Sequence, residues 1–229
     1  LKYTHSGLAT SVIAIDKQLT KSALVPQGIP MPGGMVVESA GLYFNDPLPR
    51  PYVLKPVNEG SSVGVAIVTD STNYGNPIGR DVQGPWQQFD HLLAEPFIRG
   101  RELTVAVLGD RALCVTELQP KSGFYDFEAK YLDGSTTFDV PAEISPELTE
   151  KISSAAVAAF ESIGCEGLAR VDFFLTADDQ IVINEINTMP GFTSTSVFPM
   201  LWRASGKSYS EIITQLCTSA LERPRSVVR

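Results

Sequence analysis

The segment Leu168–Gly191, LARVDFFLTADDQIVINEINTMPG, decides both the fold and the chemistry of this chain. Val171–Leu175 and Ile181–Ile186 are rich in Val, Ile and Phe and are predicted strands, with the polar stretch Ala177–Gln180 as the turn between them. A turn centred between Asp178 and Asp179 sets Asp172 opposite Glu185 and Arg170 opposite Asn187. Period-2 alternation then points all four side chains to one face. A slip of one residue would send one strand's set to the other face. Two carboxylates, an amide oxygen and a guanidinium together suit a hard cation such as Mg²⁺ that shares its coordination with phosphate. Standing alone, Asp172 and Glu185 would equally suit a solvated face. Their apolar neighbours weigh against that, because an unpaired carboxylate in such surroundings is costly.

The rest of the chain bounds the possibilities. With 229 residues and 43% hydrophobic content it can bury a core of one large domain or two lobes. A net charge of −8 without a basic patch argues against non-specific nucleic-acid binding, which relies on clustered Lys and Arg. Cys114, Cys165 and Cys217 form neither a CxxC pair nor an even disulfide framework, and read as core thiols of a reducing compartment. No apolar run approaches the roughly 18 residues of a membrane span, and the start lacks the features of a secretory signal, so the expectation is a cytoplasmic protein with no membrane partner. His5 and His91 have no partner at metal-ligand spacing. Leu1-Lys2-Tyr3-Thr4 has no initiator Met and runs straight into a helical pattern, which reads as a start in mid-fold.

Ser6–Leu24 is predicted as one broken helix or two short ones, capped by Ser6 and ended by Pro26 and Gly28. Strands are predicted at Met35–Glu38, Tyr52–Val57, Gly64–Val68, His91–Phe97, Glu102–Leu108 and Leu113–Glu117, with a short helix at Asp81–Phe89. Lys121–Val140 is a long polar and aromatic loop of the kind that serves as a lid or binding loop. Pro146–Ile163 has apolar residues at helical spacing and Gly164 as its stop. Further helices are predicted at Ser196–Ala204 and Ser208–Leu221, followed by a frayed tail. Antiparallel strands with segregated helices indicate an α+β architecture.

Lys55 closes a strand and is followed, after Pro56-Val57-Asn58, by Glu59-Gly60-Ser61-Ser62-Val63-Gly64. Glycines let a backbone approach phosphate oxygens closely, hydroxyls add donors, and a nearby lysine supplies charge. The order differs from a P-loop, where the lysine follows the glycines. A plain glycine-rich hairpin turn remains the competing explanation.

Taken together, these segments carry a resemblance. Lys55-Pro56 with Glu59–Gly64, Glu95-Pro96-Phe97-Ile98 with Glu102, Phe124-Tyr125-Asp126 with Glu128-Ala129-Lys130-Tyr131, Arg170-Val171-Asp172, and Glu185-Ile186-Asn187-Thr188-Met189-Pro190-Gly191 occur in this order. The chain resembles the D-alanine–D-alanine ligase family, from nearly its first residue to about Leu221. The resemblance implies an ATP-grasp fold with ATP between two α+β lobes. Residues 1–25 would be a helical connector from an N-terminal domain that has no counterpart here, residues 26–98 the central lobe, and residues 99–229 the C-terminal lobe with the metal site and closing loop.

The resemblance also implies roles. Lys17 and Lys55 would touch ATP phosphates, with Ser61 and Ser62 in the loop beside them; Glu95, Phe97 and Ile98 would flank the adenine; Glu102 would bind the ribose. Asp172, Glu185 and Asn187 would hold Mg²⁺, or Mn²⁺. Arg170 and the Gly191 amide would stabilise an oxyanion, and Ser196 would meet the second substrate's carboxylate. Lys130 would reach the γ-phosphate from the closing loop, and Tyr131 would hydrogen-bond toward Ser61, a tyrosine there favouring D-alanine over a hydroxy acid. The implied reaction joins two D-alanine molecules through an acylphosphate for cell-wall synthesis in bacteria, in an enzyme that commonly dimerises. Another carboxylate–amine ligase, or a nucleotide-binding piece without turnover, are the remaining alternatives.

Overall fold

A computed structural model describes residues 2–80, 84–119, 137–193 and 196–223. Two antiparallel sheets are flanked by helices, as the α+β expectation requires. The chain opens with α1 (Leu8–Ile15) and α2 (Lys17–Leu24). The break between them is made by Asp16, whose carboxylate accepts the Gln18 and Leu19 amides as the N-cap of α2. Ser6 is not the cap expected of it: Gly7 precedes α1, and the Ser6 hydroxyl instead bonds to the Glu166 backbone, far along the chain. A short 3₁₀ turn, Val25–Gln27, ends on Gly28 in the left-handed region.

The first sheet contains β1 (Met35–Glu38), β2 (Tyr52–Pro56), β3 (Ala66–Val68) and β4 (His91–Pro96), in spatial order β1-β4-β2-β3. One face is a core in which Tyr52 and Leu54 of β2 meet Leu92 and Ala94 of β4, Trp86, Leu42 and Ile78. Alternation therefore sends Val53, Lys55 and Glu95 the other way.

The second sheet contains β5 (Arg101–Leu108), β6 (Arg111–Gln119), β7 (Thr137–Asp139), β8 (Leu168–Leu175) and β9 (Ile181–Asn187), in spatial order β7-β6-β5-β8-β9. The strand β7 lies within the stretch expected to be loop, and pairs with β6 through Glu117, Leu118 and Gln119. Residues 121–136 of that loop, Lys130 and Tyr131 among them, lie outside the described residues.

Helix α3 (Pro146–Ser162), capped by the Ser145 hydroxyl, covers one face of this sheet. It buries Ile152, Ala156, Ala159 and Phe160 against Val105, Val107, Val171 and Phe173. Ala14 of α1 and Leu24 of α2 join that same core, so the two helices of the stretch expected as a connector are packed on the second sheet. On the opposite face α4 (Val197–Ala204) and α5 (Tyr209–Glu222) bury Phe198, Leu201, Trp202, Ile212 and Leu216 against Ala106, Leu108 and Leu168. Of the cysteines expected in the core, Cys165 is buried and Cys114 half-buried, but Cys217 is exposed. It follows Leu216 by the roughly 100° step of an α-helix, which turns it off the apolar stripe of α5.

Candidate active site

The hairpin β8–β9 realises the register read from the sequence, by a different route. Asp172 pairs with Glu185 and Arg170 with Asn187. The turn, however, is centred on Asp178, not between Asp178 and Asp179: Thr176 N–H donates to the Gln180 carbonyl, and Asp179 adopts φ +59°. Next to that turn Leu175 pairs with Ile181 and Phe173 with Ile183. Continued unbroken, this register would place Asp172 opposite Asn184 and would turn Glu185 toward the apolar core with Ile181 and Ile183. A β-bulge between Asp172 and Phe173 on one side and Ile183 and Glu185 on the other absorbs one residue, Asn184. Ile186 consequently joins the core, while Asn184 and Glu185 both line the cleft.

Arg170 ties the acidic pair together. Its Nε donates to Asp172 Oδ1 at 2.8 Å, one terminal nitrogen donates to Asp172 Oδ2 at 2.7 Å, and the same nitrogen lies 3.4 Å from Glu185 Oε1. Thr104 on β5, fully buried and paired with Asp172 in register, donates its hydroxyl to Asp172 Oδ1 at 2.7 Å. Asn187 accepts the Met189 amide at 3.0 Å. Among the described residues no group of three or more His, Cys, Asp or Glu side chains could hold a metal, so a cation here would take two carboxylates and an amide oxygen from the protein. Oxygen donors of this kind fit a hard divalent cation.

The opposite wall is cationic. Lys55 on β2 is 8% exposed and Glu95 on β4 is 4% exposed. Lys55 Nζ lies 2.5 Å from Glu95 Oε2 and donates across to Asn184 Oδ1 on β9 at 3.3 Å. Lys17 donates to the Glu59 carbonyl at 2.5 Å, and Lys21, one turn later on α2, pairs with Glu95. Burial holds Lys17 below the usual lysine pKa against the pull of Glu185, and burial lowers Lys21 likewise against Glu95.

Between Lys55 and β3 the loop turns sharply. Ser61 and Ser62 have φ of +54° and +60°, uncommon for residues with a Cβ. Gly64, at φ +73°, lies where a Cβ would strike Pro56 and the Phe89 ring at 2.7 Å, so the loop can fold down only with glycine there.

Both sheets thus line one cleft of about 380 Å³. Its walls include the expected Lys17, Lys55, Ser62, Glu95, Phe97, Ile98, Glu102, Asp172 and Glu185. Arg170 reaches that set through Asp172, and Asn187 through its register with Arg170. Gly191 and Ser196 form a second group beyond β9: a Cβ on Gly191 would lie 3.0 Å from Ser196 Oγ, which also accepts the Thr193 amide at 3.1 Å. Lys21, Thr104 and Asn184 join the site without being expected from the sequence. Lys21 had a signal, since it sits four residues after Lys17 and shares its helix face. Asn184 had one in the spacing of Ile181, Ile183 and Ile186, which changes parity at the bulge.

The family model described as "D-ala D-ala ligase C-terminus" matches residues 42–218. The chain is 60% identical over 227 residues to the D-alanine–D-alanine ligase of Novosphingobium aromaticivorans, covering 97% of this chain and 72% of that protein. It is 60% identical over 223 residues to the one from Erythrobacter litoralis, covering 96% and 69%. Among solved structures, the D-alanine–D-alanine ligase from Coxiella burnetii superposes with a TM-score of 0.79 at 30% identity, covering 97% of this chain and 61% of that one. The two sheets with their shared cleft are those of an ATP-grasp fold. On the family match, the identity and the superposition alike, the chain belongs to the D-alanine–D-alanine ligase family.

Proposed function

We propose that this chain carries the nucleotide and metal apparatus of an enzyme that joins two D-alanine molecules at the expense of ATP. The observation that carries the reading is the facing of Lys55 and the Asp172–Glu185 pair across one cleft. A carboxylate is a poor acyl donor and must first be phosphorylated. The carboxylate of one D-alanine attacks the γ-phosphorus, ADP leaves, and an acylphosphate forms. The amine of the second D-alanine then adds to its carbonyl carbon, and inorganic phosphate leaves as the amine loses a proton.

Asp172, Glu185 and Asn187 would hold Mg²⁺ or Mn²⁺, which offsets the charge of the phosphates that the attacking carboxylate must approach. Lys17 and Lys55 bind phosphate oxygens, and Ser61 and Ser62 shape the loop over them. Phe97 and Ile98 flank the base, with Glu95 at its edge, and Glu102 accepts from the ribose hydroxyls. Arg170 and the Gly191 amide meet the oxyanion formed as the amine adds. Ser196 meets the carboxylate of the second D-alanine. Lys130 and Tyr131 complete the site from the loop after β6 and exclude water from the acylphosphate. The enzyme works in the bacterial cytoplasm as a homodimer. No helix among the described residues is long and apolar enough to cross a membrane.

The test is product formation by the full-length protein given ATP, Mg²⁺ and D-alanine, with phosphate release and D-alanyl-D-alanine measured together. Glu185→Gln should abolish both. Phosphate release with some other amino-acid pair and none with D-alanine would overturn the substrate assignment.

A further inference from the structure

Lys21 is a buried cation to which the reaction above gives no task. It is 8% exposed, and its ammonium donates to Glu95 Oε1, to the Pro32 carbonyl at 2.7 Å and to the Gly33 carbonyl at 3.5 Å. The loop supplying those carbonyls lies hard against β4. Gly34 has φ +150°, and a Cβ there would collide with the Ala94 carbonyl oxygen, so glycine lets the loop come close enough to reach Lys21.

Glu95 is shared. One carboxylate oxygen takes Lys21, and the other takes Lys55 at 2.5 Å. Lys55 then reaches Asn184 at 3.3 Å. A polar chain therefore runs from α2, packed on the second sheet, through β4 and β2 of the first sheet, and back to β9 of the second. Two ammonium groups against one carboxylate leave one positive charge in excess. Remove Lys21, and Lys55 is the ion-pair partner left to Glu95 among the described residues; in a poorly hydrated site that pairing would be tight and electrically neutral.

We propose that Lys21 is a positioning residue, which occupies one oxygen of Glu95 so that the carboxylate does not neutralise Lys55, leaving the Lys55 ammonium for a phosphate group in the cleft. This rests on reading the cleft as a nucleoside triphosphate site. The role is electrostatic as well as steric, so the effect of losing Lys21 should scale with the charge of the ligand. A ligand without phosphate should lose less, through Glu95 at the edge of the base alone.

The experiment is calorimetric titration of this chain with MgATP and with adenosine. Lys21→Met should weaken MgATP binding by roughly tenfold or more, as expected when one partner of a buried charge pair is truncated. Adenosine affinity should fall by clearly less, since adenosine meets only Glu95 at the edge of its base and has no phosphate for Lys55. Lys21→Arg should restore most of the loss. Adding Glu95→Gln to Lys21→Met should return MgATP affinity to that of Glu95→Gln alone, because a neutral amide no longer competes for Lys55. This second comparison stands even where Lys21→Met by itself fails to fold. The proposal is overturned by unchanged MgATP affinity in Lys21→Met, by equal losses for MgATP and adenosine, or by a double variant weaker than Glu95→Gln. A parent chain that binds adenosine but gains nothing from the triphosphate would overturn the nucleotide assignment itself, and the role of Lys21 with it.

Discussion

Thr104→Val removes a single hydroxyl and tests how Asp172 is held. Thr104 is fully buried, and its hydroxyl donates to Asp172 Oδ1 at 2.7 Å. Arg170 Nε donates to that same oxygen at 2.8 Å, and a terminal guanidinium nitrogen takes Oδ2 at 2.7 Å. Valine fills nearly the same volume, so no cavity is created, and the carboxylate keeps both guanidinium bonds. A hydrogen bond to a charged acceptor contributes about 1.5–3 kcal/mol, and because Asp172 is not orphaned the lower end applies, about 1.5 kcal/mol. At about 2–4 °C per kcal/mol for a protein of this size, the melting temperature should fall by about 3–6 °C. The functional effect should be larger. An outer hydrogen bond that orients a metal ligand is typically worth about 10–100-fold in metal affinity. Thermal unfolding gives the first quantity, and the Mg²⁺ concentration that half-saturates nucleotide binding gives the second. Thr104→Ser keeps the hydroxyl and should behave as the parent on both. If Thr104→Val leaves the Mg²⁺ requirement unchanged, or if Ser fares no better than Val, the hydroxyl does not orient Asp172.

Asn184→Leu removes the acceptor that Lys55 reaches across the cleft and should weaken MgATP binding by about threefold, a modest loss suited to a bond of 3.3 Å; an unchanged affinity in a titration would show that this contact does not steer Lys55. Lys17, its pKa lowered by burial, loses charge earlier on the alkaline side than an ordinary lysine, so MgATP affinity should decline before pH 10.5 and Lys17→Arg should move that decline upward. Stability runs the other way: the unfolded chain holds more protons on Lys17 between its folded and unfolded pKa values, so this residue's contribution to stability rises with pH in that window, which a pH series of denaturant melts would detect. Iodoacetamide should label exposed Cys217 first and Cys165 last, since burial pushes the Cys165 thiol up to about 12; comparable rates read by mass spectrometry would contradict the packing of Cys165 beneath α3.

The parts of this molecule that were legible in its sequence are those governed by short periods. Ile152, Ala156, Ala159 and Phe160 repeat at helical spacing, and α3 buries them. Arg170 and Asp172 alternate with Ala169, Val171 and Phe173, and the sheet splits them onto opposite faces. What was not legible depends on partners distant in the chain. Nothing around Thr104 reveals that β5 lies beside β8, so its bond to Asp172 across 68 residues could not be foreseen. Ser6 looked like a cap because capping is a local pattern, yet its hydroxyl is claimed by Glu166.

The bulge at Asn184 shows how a local rule and a tertiary demand are reconciled. The turn places Leu175 opposite Ile181, and strict alternation from there would drive Glu185 into the core beside Ile183, where an unpaired carboxylate is costly. One unpaired residue reverses the alternation: Ile186 takes the buried place, and Glu185 comes out beside Asp172. The displaced residue is itself put to use, because two successive side chains now face the cleft and the first of them meets Lys55. Removing Asn184 from the chain would therefore do more than delete an amide. It would restore strict pairing with the turn unchanged, because Ile183 opposite Phe173 would be followed directly by Glu185 opposite Asp172, and Lys55 would lose its acceptor on β9. A bulge at such a position is a means of setting register independently of the turn, which is why the acidic pair forms although the turn was read one half-step out.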